Sequence, residues 1–211
     1  REKLLIQIND ILTPSQLTHF RVLIEMRSRR QPIAQIIGRR EFFGLTFKVT
    51  PSVLDPRPDS ETLIEAALKR CKDKKAPLRI LDLGTGTGCL LLTLLYEFPR
   101  AIGIGVDISE EALTVAQENA MHLGLGSRAS FVASHWCMRV EGTFDMISSN
   151  PPYISPADIG TLAPEVSRFE PKLALDGGAD GLNCYRAVVA SLPGHLAEGG
   201  IAILELGLGQ Q

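Results

Sequence analysis

An α/β fold, a parallel sheet with helices on both faces, is predicted for most of this chain, and three observations predict it. From Pro77 onward, short apolar runs alternate with segments of helical period. The runs lack the polar alternation of a half-exposed strand, as expected of strands covered on both faces. The first run passes directly into Asp82-Leu83-Gly84-Thr85-Gly86-Thr87-Gly88, a glycine-rich turn at the junction of a strand and a helix.

The elements follow in order. Strands are expected over residues 78–83, 101–107, 129–133, 144–149 and 200–206. Helices are expected over 89–98, 110–123 and 183–196, the second with Leu113, Ala116, Ala120 and Leu123 inward. Upstream, residues 2–31 read as helical. Leu4, Leu5, Ile8, Ile11 and Leu12 recur at helical steps, Thr13-Pro14-Ser15 interrupts, and Thr13 or Ser15 caps a second helix carrying Leu17, Phe20, Leu23, Ile24 and Met26. In residues 33–56, Leu45, Phe47 and Val49 alternate with Thr46 and Lys48, the pattern of a β-hairpin or extended connector. Asp55-Pro56-Arg57-Pro58 reads as an ordered loop, and Asp59 or Ser60 as the cap of a helix to about Lys69. The expected organisation is a partial helical bundle over 1–35, a hairpin connector over 36–58 and one α/β domain over 59–211.

Composition narrows the function classes. The 211 residues are 45% hydrophobic and 22% charged, as in an ordinary globular protein. No apolar run is long enough to cross a bilayer and no secretory signal is visible, so a cytoplasmic location is expected. Arg1 rather than Met opens the chain, and a longer natural N-terminus is expected. Cys71, Cys89, Cys137 and Cys184 form no CxxC pair, and His19, His122, His135 and His195 are scattered, so no structural metal is expected. The net charge of −2 is uneven: residues 1–75 carry 15 basic and 9 acidic side chains, and the remainder 7 and 15. Arg27, Arg29, Arg30, Arg39 and Arg40 could face an acidic partner or RNA, or simply form a solvated surface.

Two motifs carry chemistry. In the first, the third glycine falls at Gly88, one residue early for the GxGxxG of dinucleotide folds, because position 89 is Cys89. Gly84, Thr85, Gly86, Thr87 and Gly88 are read as a bay for a nucleoside cofactor, with free N–H groups at the helix start. Asp107, ending the second strand, is read as the acceptor for two ribose hydroxyls, leaving Ser109 to cap the next helix. Trp136, the only tryptophan, is read as an adenine-stacking face. Asp82 is within expected reach of the cofactor's amino group.

The second motif is Asn150-Pro151-Pro152-Tyr153, at the end of the fourth strand. A carboxamide nitrogen is a poor nucleophile, and no side chain is basic enough to ionise it. Catalysis must instead accept hydrogen bonds from its N–H groups and hold it in line with an electrophilic methyl group. Asn150 offers a side-chain oxygen and Pro151 a backbone carbonyl. The two prolines stiffen the loop, and Tyr153 can stack on a flat acceptor. Asn150, Pro151 and Tyr153 are the expected catalytic residues, and all four the expected acceptor-binding residues. The two motifs together point to methyl transfer from S-adenosylmethionine to an amide or amino nitrogen.

With these residues in view, the chain resembles the HemK/PrmC family of peptide-chain release factor glutamine N5-methyltransferases. The resemblance also covers Gln31-Pro32-Ile33-Ala34-Gln35-Ile36-Ile37-Gly38, Glu41-Phe42-Phe43-Gly44-Leu45 and Pro56-Arg57-Pro58-Asp59-Ser60-Glu61. It implies a helical N-terminal domain, a hairpin linker and a Rossmann-like class I domain. It also implies S-adenosylmethionine as cofactor and, as substrate, the Gly-Gly-Gln glutamine of peptide chain release factors. On this chain, Gly84 to Gly88, Asp107, Trp136 and Asn150 would hold the cofactor and Asn150 to Tyr153 the glutamine, with Arg57-Pro58 near the site. His135 replaces an expected Asp, and Ser60 a more usual Thr. A class I sheet has seven strands, and the final antiparallel pair has no room before Gln211, so missing C-terminal strands are expected. Adenine-N6 methyltransferases of DNA or RNA share Asn-Pro-Pro-Tyr and remain an alternative, though the net-negative α/β part disfavours a nucleic-acid substrate. A non-catalytic cofactor-binding module is a second.

Overall fold

A computed structural model of the protein describes residues 11–210. Most of the first expected helix lies on residues 1–10, outside that range, and Ile11 and Leu12 belong to no element. Helix α1 spans Pro14–Ser28. Thr13 caps it: its side chain accepts from the Gln16 N–H while the Gln16 side chain returns to the Thr13 N–H. None of its residues is buried among the described contacts. A short helix absent from the sequence reading, α2 (Ile33–Ile37), follows and ends on Gly38 in the left-handed conformation.

Strands β1 (Arg39–Phe42) and β2 (Leu45–Lys48) form the expected hairpin. It shares the main core: Phe42 and Phe47 meet edge to face, centroids 6.2 Å apart, and pack with Leu63, Ile64, Ile80 and Leu90. Helix α3 spans Glu61–Arg70. Ser60 does not cap it, contrary to expectation. A 3-10 turn over Pro58–Ser60 precedes the helix, and the Ser60 side chain makes no capping bond.

The central sheet has the order β5-β4-β3-β6-β7, every pairing parallel. Its members are β3 (Arg79–Leu83), β4 (Ile102–Asp107), β5 (Ala129–Ala133), β6 (Phe144–Ser149) and β7 (Leu196–Leu204). The strand order reverses between β3 and β6, and a crevice opens there at the carboxyl ends of the strands, as in other open α/β sheets. β3 is central, and Ile80, Leu81 and Leu83 are fully buried, which explains why its residues are apolar apart from Arg79 at its start and buried Asp82. Strand β7 starts four residues before the expected position and ends at Leu204, with a register irregularity opposite Phe144 and Met146. Glu205 therefore stands just past its tip.

Helix α4 (Cys89–Glu97) is buried through Leu90, Leu91, Leu92, Leu94 and Leu95. Gly88 starts it at φ +79°, and a β-carbon there would come within 3.0 Å of Leu92 and 3.3 Å of Ala116. Glycine is needed there for packing as well as for backbone conformation. Helix α5 (Glu110–His122) is capped by the Ser109 hydroxyl, which accepts from the Ala112 N–H. It buries Leu113, Ala116 and Ala120 as expected, with Leu123 packed against the core from just beyond its end. Between β6 and β7, residues 154–182 hold two one-turn helices, α6 (Pro156–Ile159) and α7 (Pro164–Ser167), before α8 (Asn183–His195). A lone parallel bridge from Ile154 to Asp176 folds this segment back beside the end of β6. Among the described residues no helix is long and apolar enough to cross a membrane.

Candidate active site

The crevice at the strand tips is a single cleft. One wall is Gly84 and Gly86 after β3, Asp107 at the end of β4 with Ile108 beyond it, and Ser134, His135 and Trp136 after β5. The other holds Asn150 and Pro152 after β6, with Pro171, Leu173, Ala174 and Asp176. Ser52, Val53 and Leu54, following the hairpin, also line it.

The glycine turn is anchored by two carboxylates with opposite fates. Asp82, only 1% exposed, lies beneath the turn. It accepts from the Thr85 hydroxyl at 2.6 Å and the Ser148 hydroxyl at 2.7 Å. Burial pushes its pKa up to about 6, against the pull of those two bonds. It does not line the cleft, so the expected contact with a cofactor amino group is not formed from this position. Asp107 sits in the cleft wall. Its Oδ2 accepts from the Gly86 N–H at 2.9 Å and its Oδ1 from the Ser109 N–H at 3.0 Å. Each oxygen keeps capacity for another donor, which suits the vicinal hydroxyls of a ribose.

The backbone donors of the turn are largely committed. The Thr85 N–H donates to the Val106 carbonyl, that of Gly88 to the Thr85 carbonyl, and that of Cys89 to the Thr87 hydroxyl. The expected bank of free N–H groups is therefore mostly spent inside the fold. Such a turn suits a sugar better than a phosphate, which needs several convergent donors. Of the five expected residues, Gly84 and Gly86 line the cleft. Thr85, Thr87 and Gly88 are buried and serve the turn and the α4 packing. At Gly86, φ is +54° and no atom lies within 4 Å of where a β-carbon would stand, so the open space belongs to the cleft.

Trp136 lies in the cleft wall with φ +51°, a left-handed backbone unusual for tryptophan. The turn is held by the Ser134 N–H donating to the Asp107 carbonyl and the Ser134 hydroxyl accepting from the Arg139 N–H. These bonds fix the indole beside the open face of Gly84, about where an adenine would lie if Asp107 held its ribose. His135 stands edge-on to the indole at 6.1 Å between centroids and also lines the cleft.

The Asn-Pro-Pro-Tyr loop splits. Asn150 and Pro152 line the cleft; Pro151 is buried, and Tyr153 turns away. The Tyr153 hydroxyl donates to Glu205 Oε1 at 3.3 Å, and burial, with the Glu205 charge beside it, pushes its pKa up to about 12. The Asn150 amide nitrogen donates to the Ser60 hydroxyl at 3.0 Å. Arg57 pairs with buried Glu170 at 2.6 Å, pinning the segment before Pro171. Burial raises the Glu170 pKa to about 7 despite that partner. Arg27 and Arg30 both pair with Glu165, at 2.9 and 2.7 Å, so part of the basic N-terminal stretch is neutralised within the chain. Among the described residues, no three His, Cys, Asp or Glu side chains group as metal ligands.

Ser60, Glu205, residues 52–54 and residues 171–176 were not expected in or behind the site. Ser60 lies in Pro56–Glu61, a stretch the family resemblance covers, whereas the sequence places Glu205 only within the last expected strand and residues 52–54 only in the connector.

Residues 58–165 match the family model described as the methyltransferase small domain. A release factor glutamine methyltransferase from Rhodospirillum rubrum is 48% identical over 95% of this chain. Those from Cereibacter sphaeroides and Bradyrhizobium diazoefficiens are 47% and 44% identical over 99% and 98%. The chain spans 61% of the first relative's length, 73% of the second's and 70% of the third's. Two solved structures share the fold. An S-adenosylmethionine-dependent methyltransferase from Agrobacterium tumefaciens has a TM-score of 0.55 at 18% identity, covering 79% of this chain and 51% of that one. A ribosomal protein L11 methylase from Lactobacillus delbrueckii subsp. bulgaricus has a TM-score of 0.51 at 21% identity, covering 78% and 68%. The sheet is thus that of class I methyltransferases, and by its relatives the chain belongs to the family of release factor glutamine methyltransferases.

Proposed function

We propose that this protein transfers a methyl group from S-adenosylmethionine to the side-chain amide nitrogen of the glutamine in the Gly-Gly-Gln motif of peptide chain release factors, in the cytoplasm. The observation that carries the proposal is that Asn150, at the tip of β6, faces the same cleft as Gly84, Gly86, Asp107 and Trp136. One continuous space then serves a nucleoside and an amide.

S-adenosylmethionine supplies a methyl group on a positively charged sulfur. Asp107 accepts the ribose hydroxyls, Trp136 covers the adenine, and Gly84 and Gly86 let the ligand approach the backbone. The Asn150 side-chain oxygen accepts from the substrate amide NH2 and aims the nitrogen at the methyl carbon. The nitrogen–carbon bond forms as the carbon–sulfur bond breaks with its electron pair on sulfur. The nitrogen's surplus proton passes to water. No histidine or carboxylate is needed as base, because positioning supplies the main acceleration.

The test is incorporation of labelled methyl by the full-length protein, offered release factor and DNA in parallel. Label on release factor supports the proposal. Label on DNA with none on release factor overturns it in favour of an adenine amine as acceptor. Cofactor binding without transfer to either overturns it in favour of a binding module.

A further inference from the structure

The Asn150 amide can face the cleft with its oxygen or with its NH2, and only the oxygen can accept from a substrate amide. Its polarity is set from outside the Asn-Pro-Pro-Tyr motif. Glu205 follows β7, and its N–H donates to the Ser149 carbonyl at 3.0 Å, which locks it beside the residue preceding Asn150. The Tyr185 hydroxyl donates to the Glu205 backbone carbonyl at 2.9 Å, and Tyr153 donates to Oε1.

A carboxylate only accepts hydrogen bonds, so the Ser60 hydroxyl must donate to Glu205 Oε2. A hydroxyl has one proton. With that proton spent on Glu205, the Ser60 oxygen can only accept from Asn150, and the Asn150 NH2 must point at it, as observed at 3.0 Å. The Asn150 oxygen is then the end with no donor among the described residues. Ser60 is 3% exposed, so water does not compete for the relay.

We propose that Ser60 and Glu205 are positioning residues that fix the Asn150 amide with its oxygen toward the acceptor nitrogen. This rests on the reading of Asn150 as an amide acceptor given above. Without the relay the amide turns freely, and half its orientations oppose NH2 to NH2.

The test compares wild-type full-length protein with Ser60→Ala and Ser60→Thr, each saturated with cofactor and release factor. Cofactor affinity is measured by calorimetry on the same samples. The expected result for Ser60→Ala is a kcat loss of roughly tenfold or more with cofactor affinity within about twofold, since Ser60 touches only the acceptor side. Ser60→Thr, which keeps the hydroxyl, should restore most of the kcat. Three results overturn the relay: unchanged kcat in Ser60→Ala, a threonine variant as slow as the alanine variant, or cofactor binding lost together with kcat, which would assign Ser60 to the fold. In each of these the wild type still methylates release factor and the functional reading stands. A wild type that does not methylate it removes both.

Discussion

The two walls of the cleft are assembled differently. The wall proposed for the cofactor comes from the tips of adjacent strands β3, β4 and β5, each giving two or three residues at or just after the strand end. The wall proposed for the acceptor is stitched from distant pieces. Asn150 is held by Ser60, 90 positions away, and Ser60 by Glu205, 145 positions from it. Residues 171–174 are held by Arg57 through Glu170. Parallel strand pairing and bonds between neighbouring strand tips, such as Gly86 N–H to Asp107, order the first wall, while the second depends on long-range side-chain bonds. Damage to the first should therefore weaken cofactor binding, and damage to the second should slow turnover.

The sharpest way to break that division is a crossed pair of substitutions. Asn150→Ala should lower kcat by about a hundredfold or more, the scale of removing one preorganised polar group, while cofactor affinity changes little. Asp107→Ala should weaken cofactor affinity roughly ten- to a hundredfold, since hydrogen bonds to a charged group contribute about 1.5–3 kcal/mol. Its kcat at saturating cofactor should stay much closer to wild type. Calorimetric titration and steady-state kinetics on both variants check the pair. Affinity and turnover falling together in either variant would show that the walls do not act separately.

A separate effect, on stability rather than chemistry, distinguishes Asp82, buried beneath the glycine turn, from Asp107 in the cleft wall. Burial raises Asp82 to about 6, above its ordinary 3.8. Between those values the folded protein holds the proton more tightly than the unfolded chain. The protonated form's contribution is full below about pH 4 and is lost as pH rises through 6. The loss is on the order of 3 kcal/mol at about 1.4 kcal/mol per pKa unit. Asp82→Asn removes this titration, so its thermal midpoint should gain on that of the wild type between pH 4 and 7. Parallel curves would contradict the burial argument.

The same contrast explains what could be read from the sequence. The positions of Asp107 and Trp136 in the cleft were legible because a strand end fixes where the next residues go. The hairpin was legible from the alternation at Leu45, Phe47 and Val49, although Phe42 and Phe47 lie deep in the core. The glycine motif was legible as a turn but misleading in detail, because Thr85, Thr87 and Gly88 share its pattern yet face inward. Ser60 looked like a helix cap because serine before a helix usually is one. Its hydroxyl is instead drawn to Glu205, a tertiary partner that no local rule reveals. Residues 154–182 carry no periodicity, and the ties that shape them, such as Gln35 to the Phe169 carbonyl, cross more than a hundred positions.

Fragment mass spectrometry of purified release factor, after incubation with the full-length protein and S-adenosylmethionine, tests the central claim most directly. The account predicts one added methyl group on the side-chain nitrogen of the glutamine in Gly-Gly-Gln, lost when Asn150 is alanine. A methyl group on another residue, or an unmodified release factor beside methylated nucleic acid, would contradict it.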